Sequence, residues 1–332
     1  MAEELTSKAT VVPQSLLNLL MMLSLIVYCS GIHGQSSAAS TPQKVTVAYA
    51  AISPIMAGVW MAKEIGAYEK YGLQADLVFI ASGAVTVASL ISGDLDMAVA
   101  ASNAVIAAVT KGAPLVAVGG VTNRPGQILW VQPEISSPSE LQGKALGISR
   151  IGSMSHFLTL LTLKRFNLEG KVRIQQYGDG PSGDVAFRQG AIAGRLSSLR
   201  PDPRARPLAD LADLGIPYSM DYLTVTQDYL KKNRKSVEAL LLAYTEGVAA
   251  LHNRRQQATI VLNKYLRRPS EDQEEPYSYA IRYLERYPRV DPETVQTVLD
   301  WMKIPHTPSS RVFDNSIIES IKQQGFIEKL YR

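Results

Sequence analysis

The segment 80–103, IASGAVTVASLISGDLDMAVAASN, constrains the fold more than any other part of the chain. A strand ends at Ile80, and Ser82, Gly83 and Ala84 turn it into a helix carrying Val85, Ala88, Leu90 and Ile91 on its apolar side. Gly93-Asp94 stops that helix. A short strand from Leu95 to Val99 follows, and Ser102-Asn103 opens the next helix. Helix starts therefore emerge at neighbouring strand ends, with hydroxyls and little side-chain bulk. Free backbone N–H groups and the positive end of the helix dipole suit such a place to a small anionic or polar group. Ordinary N-capping by serine is the structural alternative at each position.

The same alternation runs from Val45 to Val121. Val45 to Ala50 reads as a strand, and the loop Ala51-Ile52-Ser53-Pro54 leads to a helix that buries Trp60, Met61, Ile65 and Tyr68. Tyr71-Gly72-Leu73 closes it, and strands follow at Leu77–Ile80 and Leu115–Val121. This β-α-β order predicts an α/β architecture, a mostly parallel sheet flanked by helices. Ligands on such sheets sit at the carboxyl ends of the strands. Asn123-Arg124-Pro125-Gly126 breaks the pattern, and Ile128 to Val131 crosses into a second lobe. That lobe has strands at Ala145–Ser149 and Val172–Tyr177, with a helix from Gly152-Ser153 through Phe166. The chain returns near Tyr222 to Thr226, and extra C-terminal helices follow, beginning with the stripe Val237, Leu240, Leu241, Tyr244, Val248 and Leu251. The expected lobes are 44–124 with 222–332, and 125–221. A faint repeat links them: Leu90 to Ala98 echoes Phe187 to Gly194, each a helix end, a glycine stop and a strand start.

A chain of 332 residues with 46% hydrophobic and 19% charged content has room for two globular domains. A formal charge of +4 is small for this length, and the run Lys231-Lys232-Asn233-Arg234-Lys235 reads as a solvated helix start. No nucleic-acid partner is expected. Leu16 to Val27 has the length of a signal-peptide core, with the polar tract Ser30–Thr41 behind it and cleavage after Gly31 or Ala39. Residues 1–39 thus read as signal peptide and spacer. The sole cysteine, Cys29, ends a sequence like a lipoprotein box, Ile26-Val27-Tyr28-Cys29, and is either a lipid anchor or lost with the peptide. Either way the mature chain has no disulfide and no thiol nucleophile.

Four segments carry a family resemblance: Trp60 to Leu73, Ser92 to Ala98, Leu141 to Ile148, and Leu208 to Tyr218. Through them the chain resembles the type II periplasmic substrate-binding proteins of ABC importers, in the nitrate/sulfonate/taurine and thiamine-precursor branch. The resemblance implies two hinged α/β lobes that close on a small molecule without altering it, an ABC permease as membrane partner, a monomer, and no cofactor or metal. It implies ligand loops at Ser53-Pro54, Ser82-Gly83-Ala84, Ser102-Asn103, Ser149 to Ser153 and Tyr177-Gly178. Ser82, Ser102 and Ser153 would offer hydroxyls, Gly152 backbone, and Tyr177 a wall. Arg150 would pair with an anion or face solvent, and Asn123 would contact ligand at the hinge.

The chain departs from that family after Gly190-Ala191-Ile192. In place of an Asp and a short apolar strand stands 193–207, AGRLSSLRPDPRARP, whose charges and prolines argue against a buried strand. The run reads as a frameshift, a deletion or a real loop, with one cleft wall at stake. Gly178-Asp179-Gly180-Pro181-Ser182-Gly183 matches a dinucleotide fingerprint, but too little helix follows and no acidic strand end comes about 20 residues on. A thiamine-pyrimidine synthase of this fold would need cysteine and histidine chemistry, and His156, His252 and His306 have no ligand spacing. A periplasmic sensor with the same cleft is the remaining alternative. Asp94 and Asp96 fit turn duty at a helix–strand junction better than acid/base work.

Overall fold

In the computed structural model, residues 41–80, 83–178, 180–266, 274–304 and 306–332 are described. The expectations for the leader, its cleavage sites and Cys29 fall outside them, as do those for Ser82 and Asp179.

Alternating β-rich and helical segments build two five-stranded sheets. The first holds β1 (Gln43–Tyr49), β2 (Leu73–Phe79), β3 (Met97–Ala101), β4 (Leu115–Gly120) and the returning β10 (Asp221–Thr226). Its order is β2-β1-β3-β10-β4. The second holds β5 (Ile128–Val131), β6 (Ala145–Ile148), β7 (Arg173–Gln176), β8 (Gly194–Ser197) and β9 (Arg206–Asp210), in the order β7-β6-β8-β5-β9. In each sheet one strand runs against the other four: β10 pairs antiparallel with β3 and β4, and β5 with β8 and β9. The opposed strand is in both cases the one that has just crossed from the other sheet.

Two crossings join the sheets, 121–127 and 211–220, and they are tied to each other. Val121 N donates to Asp221 O at 3.0 Å, and Met220 N to Thr122 Oγ1 at 3.0 Å. Asn123 anchors the first crossing to the C-terminal helices, its Nδ2 donating to Arg289 O at 3.2 Å and its Oδ1 accepting from Asp291 N at 3.2 Å. Near the second crossing, Tyr283 of the helix Glu274–Tyr283 donates to Asp210 at 2.5 Å, and Arg282 pairs with Asp210 at 2.7 Å. One long helix, Arg234–Asn253, packs the stripe Val237, Leu240, Leu241, Tyr244, Val248 and Leu251 into the core. Among the described residues no helix is long and apolar enough to cross a membrane.

The segment 193–207 overturns the expectation of a missing strand. Gly194–Ser197 is β8, the central strand of the second sheet, parallel to β6 and antiparallel to β5. Its charge is accommodated, since Arg195 is 7% exposed and paired with Asp184 of the helix Gly180–Arg188. The prolines fall beyond it. Pro201 and Pro203 sit in a turn where Asp202 accepts from Arg204 N at 2.9 Å and from Arg204 Nε at 3.0 Å. Pro207 stands on β9, an edge strand that loses nothing by a missing N–H on its free side. A small satellite core of Trp130, Phe187, Ile192 and Ala205 seals this region.

Candidate ligand-binding site

A cavity of about 830 Å³ lies where the carboxyl ends of β1, β2 and β3 face those of β6, β7 and β8. From the first sheet come Ala51, Ile52 and Ser53 after β1, Phe79 at the end of β2, Gly83, and Asp221 at the start of β10. From the second come Ser149, Ser155, Tyr177, Arg195, Ser197 and Ser198. This placement follows from topology, since parallel strands deliver their following loops to one end of the sheet. Ser53 Oγ and Ser198 Oγ stand 3.2 Å apart across the cavity, the two sheets meeting through their hydroxyls.

The second-sheet wall is built around Tyr177. A Cβ on Gly147 of β6 would come within 2.5 Å of its ring, and one on Gly183 would overlap it, so both positions are kept bare for the phenol. The Arg195 guanidinium covers the ring at 5.1 Å. The glycines of 178–183 thus serve helix entry and the seating of Tyr177. Beside them, Ser149, Ser153 and Ser155 form a mutually bonded hydroxyl cluster with Oγ–Oγ distances of 2.9–3.0 Å. Ser153 also caps the helix Met154–Arg165, accepting from His156 N at 3.3 Å.

Of the residues expected from the sequence, Ser53, Gly83, Ser149 and Tyr177 line the cavity. Pro54 is buried behind Ser53 as the first residue of a short helix. Ala84 lies in the helix Gly83–Ser92. Ser102 stands behind the wall, fully buried, and its hydroxyl donates to Ser219 O at 2.6 Å. Asn103 is half-buried in the next turn, outside the lining. Asn123 is occupied in tying the first crossing to Arg289 and Asp291. Arg150 and Gly152 are exposed, the latter at φ +81° with its N–H given to His156 Nδ1 at 3.1 Å. Of the junction acids, Asp94 serves the turn, accepting from Ser92 Oγ at 2.6 Å, whereas Asp96 ties the junction to β1, accepting from Thr46 N at 2.7 Å.

Sequence reasoning missed Ile52, Phe79, Arg195, Ser198 and Asp221. Arg195 could have been found by carrying the internal repeat one residue further, which matches it to Ala98 of β3. Asp221 immediately precedes the strand read as the return to the first lobe, a position that faces the cleft in this topology. The residue is 6% exposed, and burial pushes its carboxyl up to about 7. Phe79 and Ile52 are 41% and 44% exposed, an apolar lip on the first-sheet side. Among the described residues no group of three or more His, Cys, Asp or Glu side chains is placed to hold a metal.

Two mixed α/β sheets, double crossings and a cavity between facing strand ends define the two-lobed periplasmic-binding-protein fold. The chain belongs to the NMT1/THI5-like family, whose model matches residues 53–258. No curated protein matches it. Among solved structures it is similar to the periplasmic aliphatic sulphonate binding protein SsuA from Escherichia coli, at 22% identity over 82% of this chain and 95% of that one, with a TM-score of 0.66. It is also similar to the alkanesulfonate-binding protein SsuA from Xanthomonas axonopodis pv. citri bound to MOPS, at 18% identity, 82% and 96% coverage and a TM-score of 0.66. The periplasmic nitrate-binding protein NrtA from Synechocystis PCC 6803 shares 13% identity, with 85% and 89% coverage and a TM-score of 0.66.

Proposed function

We propose that this chain is the extracytoplasmic solute-binding component of an ABC importer, capturing a small anionic or polar organic solute without altering it. The observation that carries the reading is the cavity of about 830 Å³ lined by both sheets at their carboxyl ends. A solute held there touches both walls only when they are together, so binding pulls an open–closed equilibrium toward the closed form. The lobes of this motion are 44–124 with 222–332, and 125–221, turning about the paired crossings. Contacts fall to Ser53, Gly83, Ser149 and Tyr177, joined by Arg195 and Ser198. A membrane permease reads the closed form. The protein acts as a monomer on the periplasmic or outer face, delivered by residues 1–39, with Cys29 either lipidated or removed.

Thermal-shift screening of the purified mature protein tests this, using sulfonates, nitrate, bicarbonate, aromatic carboxylates and pyrimidines. A solute at about 100 times its dissociation constant adds roughly 2.7 kcal/mol of stability and is recovered unchanged. Ser53→Leu and Ser149→Leu should remove the shift while the unliganded protein still melts cooperatively. A shift that survives both substitutions places the site elsewhere, and a consumed solute overturns the binding role.

A further inference from the structure

Asp221 opens β10, which runs antiparallel to β3, so it enters the cavity from the same end as the loops after β1 and β2. Its carbonyl is fully engaged, accepting from Val121 N at 3.0 Å and from Ser219 Oγ at 3.0 Å. Among the described residues its carboxyl has no hydrogen bond and no ion pair, and burial is the sole cause of its shift. The titratable groups that feel its charge are the phenols of Tyr218, Tyr244 and Tyr279. All three are themselves raised by burial, so they neither titrate near neutrality nor supply a cation. The charged groups on the rest of the lining, Asp184, Arg195 and Arg200, belong to the second lobe.

A carboxylate taken out of water without a partner is costly and is normally found paired. Here the missing partner has to come from the cavity. We propose that the cleft takes a solute carrying a protonated amine or amidine nitrogen, and that Asp221 is the group that recognises it. The inference rests on the binding role proposed above and narrows its ligand class. The nitrogen lies at the β10 end, the carbon skeleton along Ile52 and Phe79, and any anionic end toward Arg195 and Ser198. Simple inorganic anions are disfavoured, because they would sit near an acid with nothing to offer it.

The test uses probe pairs matched except for the nitrogen: 3-aminopropane-1-sulfonate with propane-1-sulfonate, 5-aminopentanoate with pentanoate, and benzamidine with benzamide. Titration calorimetry at pH 8 is expected to show a nitrogen-bearing member binding at least about tenfold tighter than its mate, the scale of a charged hydrogen bond. Asp221→Asn should erase that preference by weakening the nitrogen-bearing member at least about tenfold, while an anionic mate, relieved of the nearby carboxylate, binds no more weakly than before. Repeating the wild-type titration at pH 6.5 in two buffers of different ionisation enthalpy should reveal proton release on binding, a readout independent of the variant's folding. Equal affinity within every pair that binds, or a preference that survives Asp221→Asn, overturns the proposal and leaves the binding role intact. Silence from all six probes also overturns it. The binding role is then judged separately by the amine-free solutes of the broader screen.

Discussion

The two sheets share one strand order yet distribute charge in opposite ways. β3 and β8 occupy the same central place, each preceded by a helix and a glycine stop. β3 is Met-Ala-Val-Ala-Ala and buried along nearly its whole length, whereas β8 is Gly-Arg-Leu-Ser with a guanidinium inside. Arg195 arrives with its counter-charge, Asp184, and a ring to cover it. The first lobe carries its buried charge one strand over, on Asp221, and brings no partner for it. A paired buried charge is part of the wall, while an unpaired one is a demand the wall leaves open. The second lobe is therefore finished without solute in a way the first is not.

The largest effect should come from the unpaired acid, and its sign is opposite to that of an ordinary core lesion. In the folded chain Asp221 holds its proton up to about pH 7, while in the unfolded chain it ionises near its usual value of 3.8. Between those values the folded state binds more protons, so its contribution to stability falls as pH rises and stays lost above 7. Asp221→Asn removes that penalty. Thermal melts of solute-free protein at pH 8 should show the variant more stable, by a few kcal/mol in order of magnitude, with the gain closing as the pH drops toward 4. A destabilised variant at pH 8 would mean that the carboxylate already has its partner.

Asp184→Ala is the matching cut in the second lobe and should lower stability. Breaking a buried ion pair by removing one member costs about 3–5 kcal/mol. Asp184 is 34% exposed, so water softens the loss toward about 2 kcal/mol. Urea unfolding measures it. The double variant Asp184→Ala with Arg195→Met should recover most of the loss, because an apolar isostere needs no counter-charge. Failure to recover would assign Arg195 an additional structural role.

The readability of the chain follows the same division. Strands such as Ile128–Val131 and the stripe on the helix Arg234–Asn253 were legible because periodicity alone dictates them. Strand β8 was not, because the condition that lets Arg195 be buried lies 11 residues earlier, on a helix, and has no local signature. The prolines misled for a related reason: they belong to a turn stapled by Asp202 and Arg204 and to an edge strand, both of which tolerate proline. In the cleft, glycine-and-serine loops announced Ser53, Gly83, Ser149 and Tyr177. They also pointed to Ser102, whose hydroxyl turns inward to Ser219. Composition marks a helix start; which way its hydroxyl faces depends on the neighbouring crossing.

Gly194→Ala probes how tightly the charged strand is fitted. A Cβ there would meet Trp130 O at 2.7 Å and Val131 Cγ1 at 2.8 Å, and the first of these is backbone of the paired strand and cannot step aside. The expected cost is about 1–3 kcal/mol, as for other overpacked sites, read from the same urea curves. A neutral result would show that the second sheet yields where it looks rigid.

The smallest effect should be shared equally by the two lobes. Gly93 and Gly190 end corresponding helices at φ +86° and +71°, and a Cβ at either would meet nothing within 4 Å. With no clash to add, alanine at each position costs only the left-handed backbone, about 1 kcal/mol. Because the penalty is local and solvent-facing, Gly93→Ala and Gly190→Ala should shift the urea midpoint by the same amount, and the two losses should add in the double variant. A larger loss at Gly190 would mean that entry into β8 is under strain that entry into β3 escapes. The buried guanidinium would then burden the backbone as well as require a counter-charge.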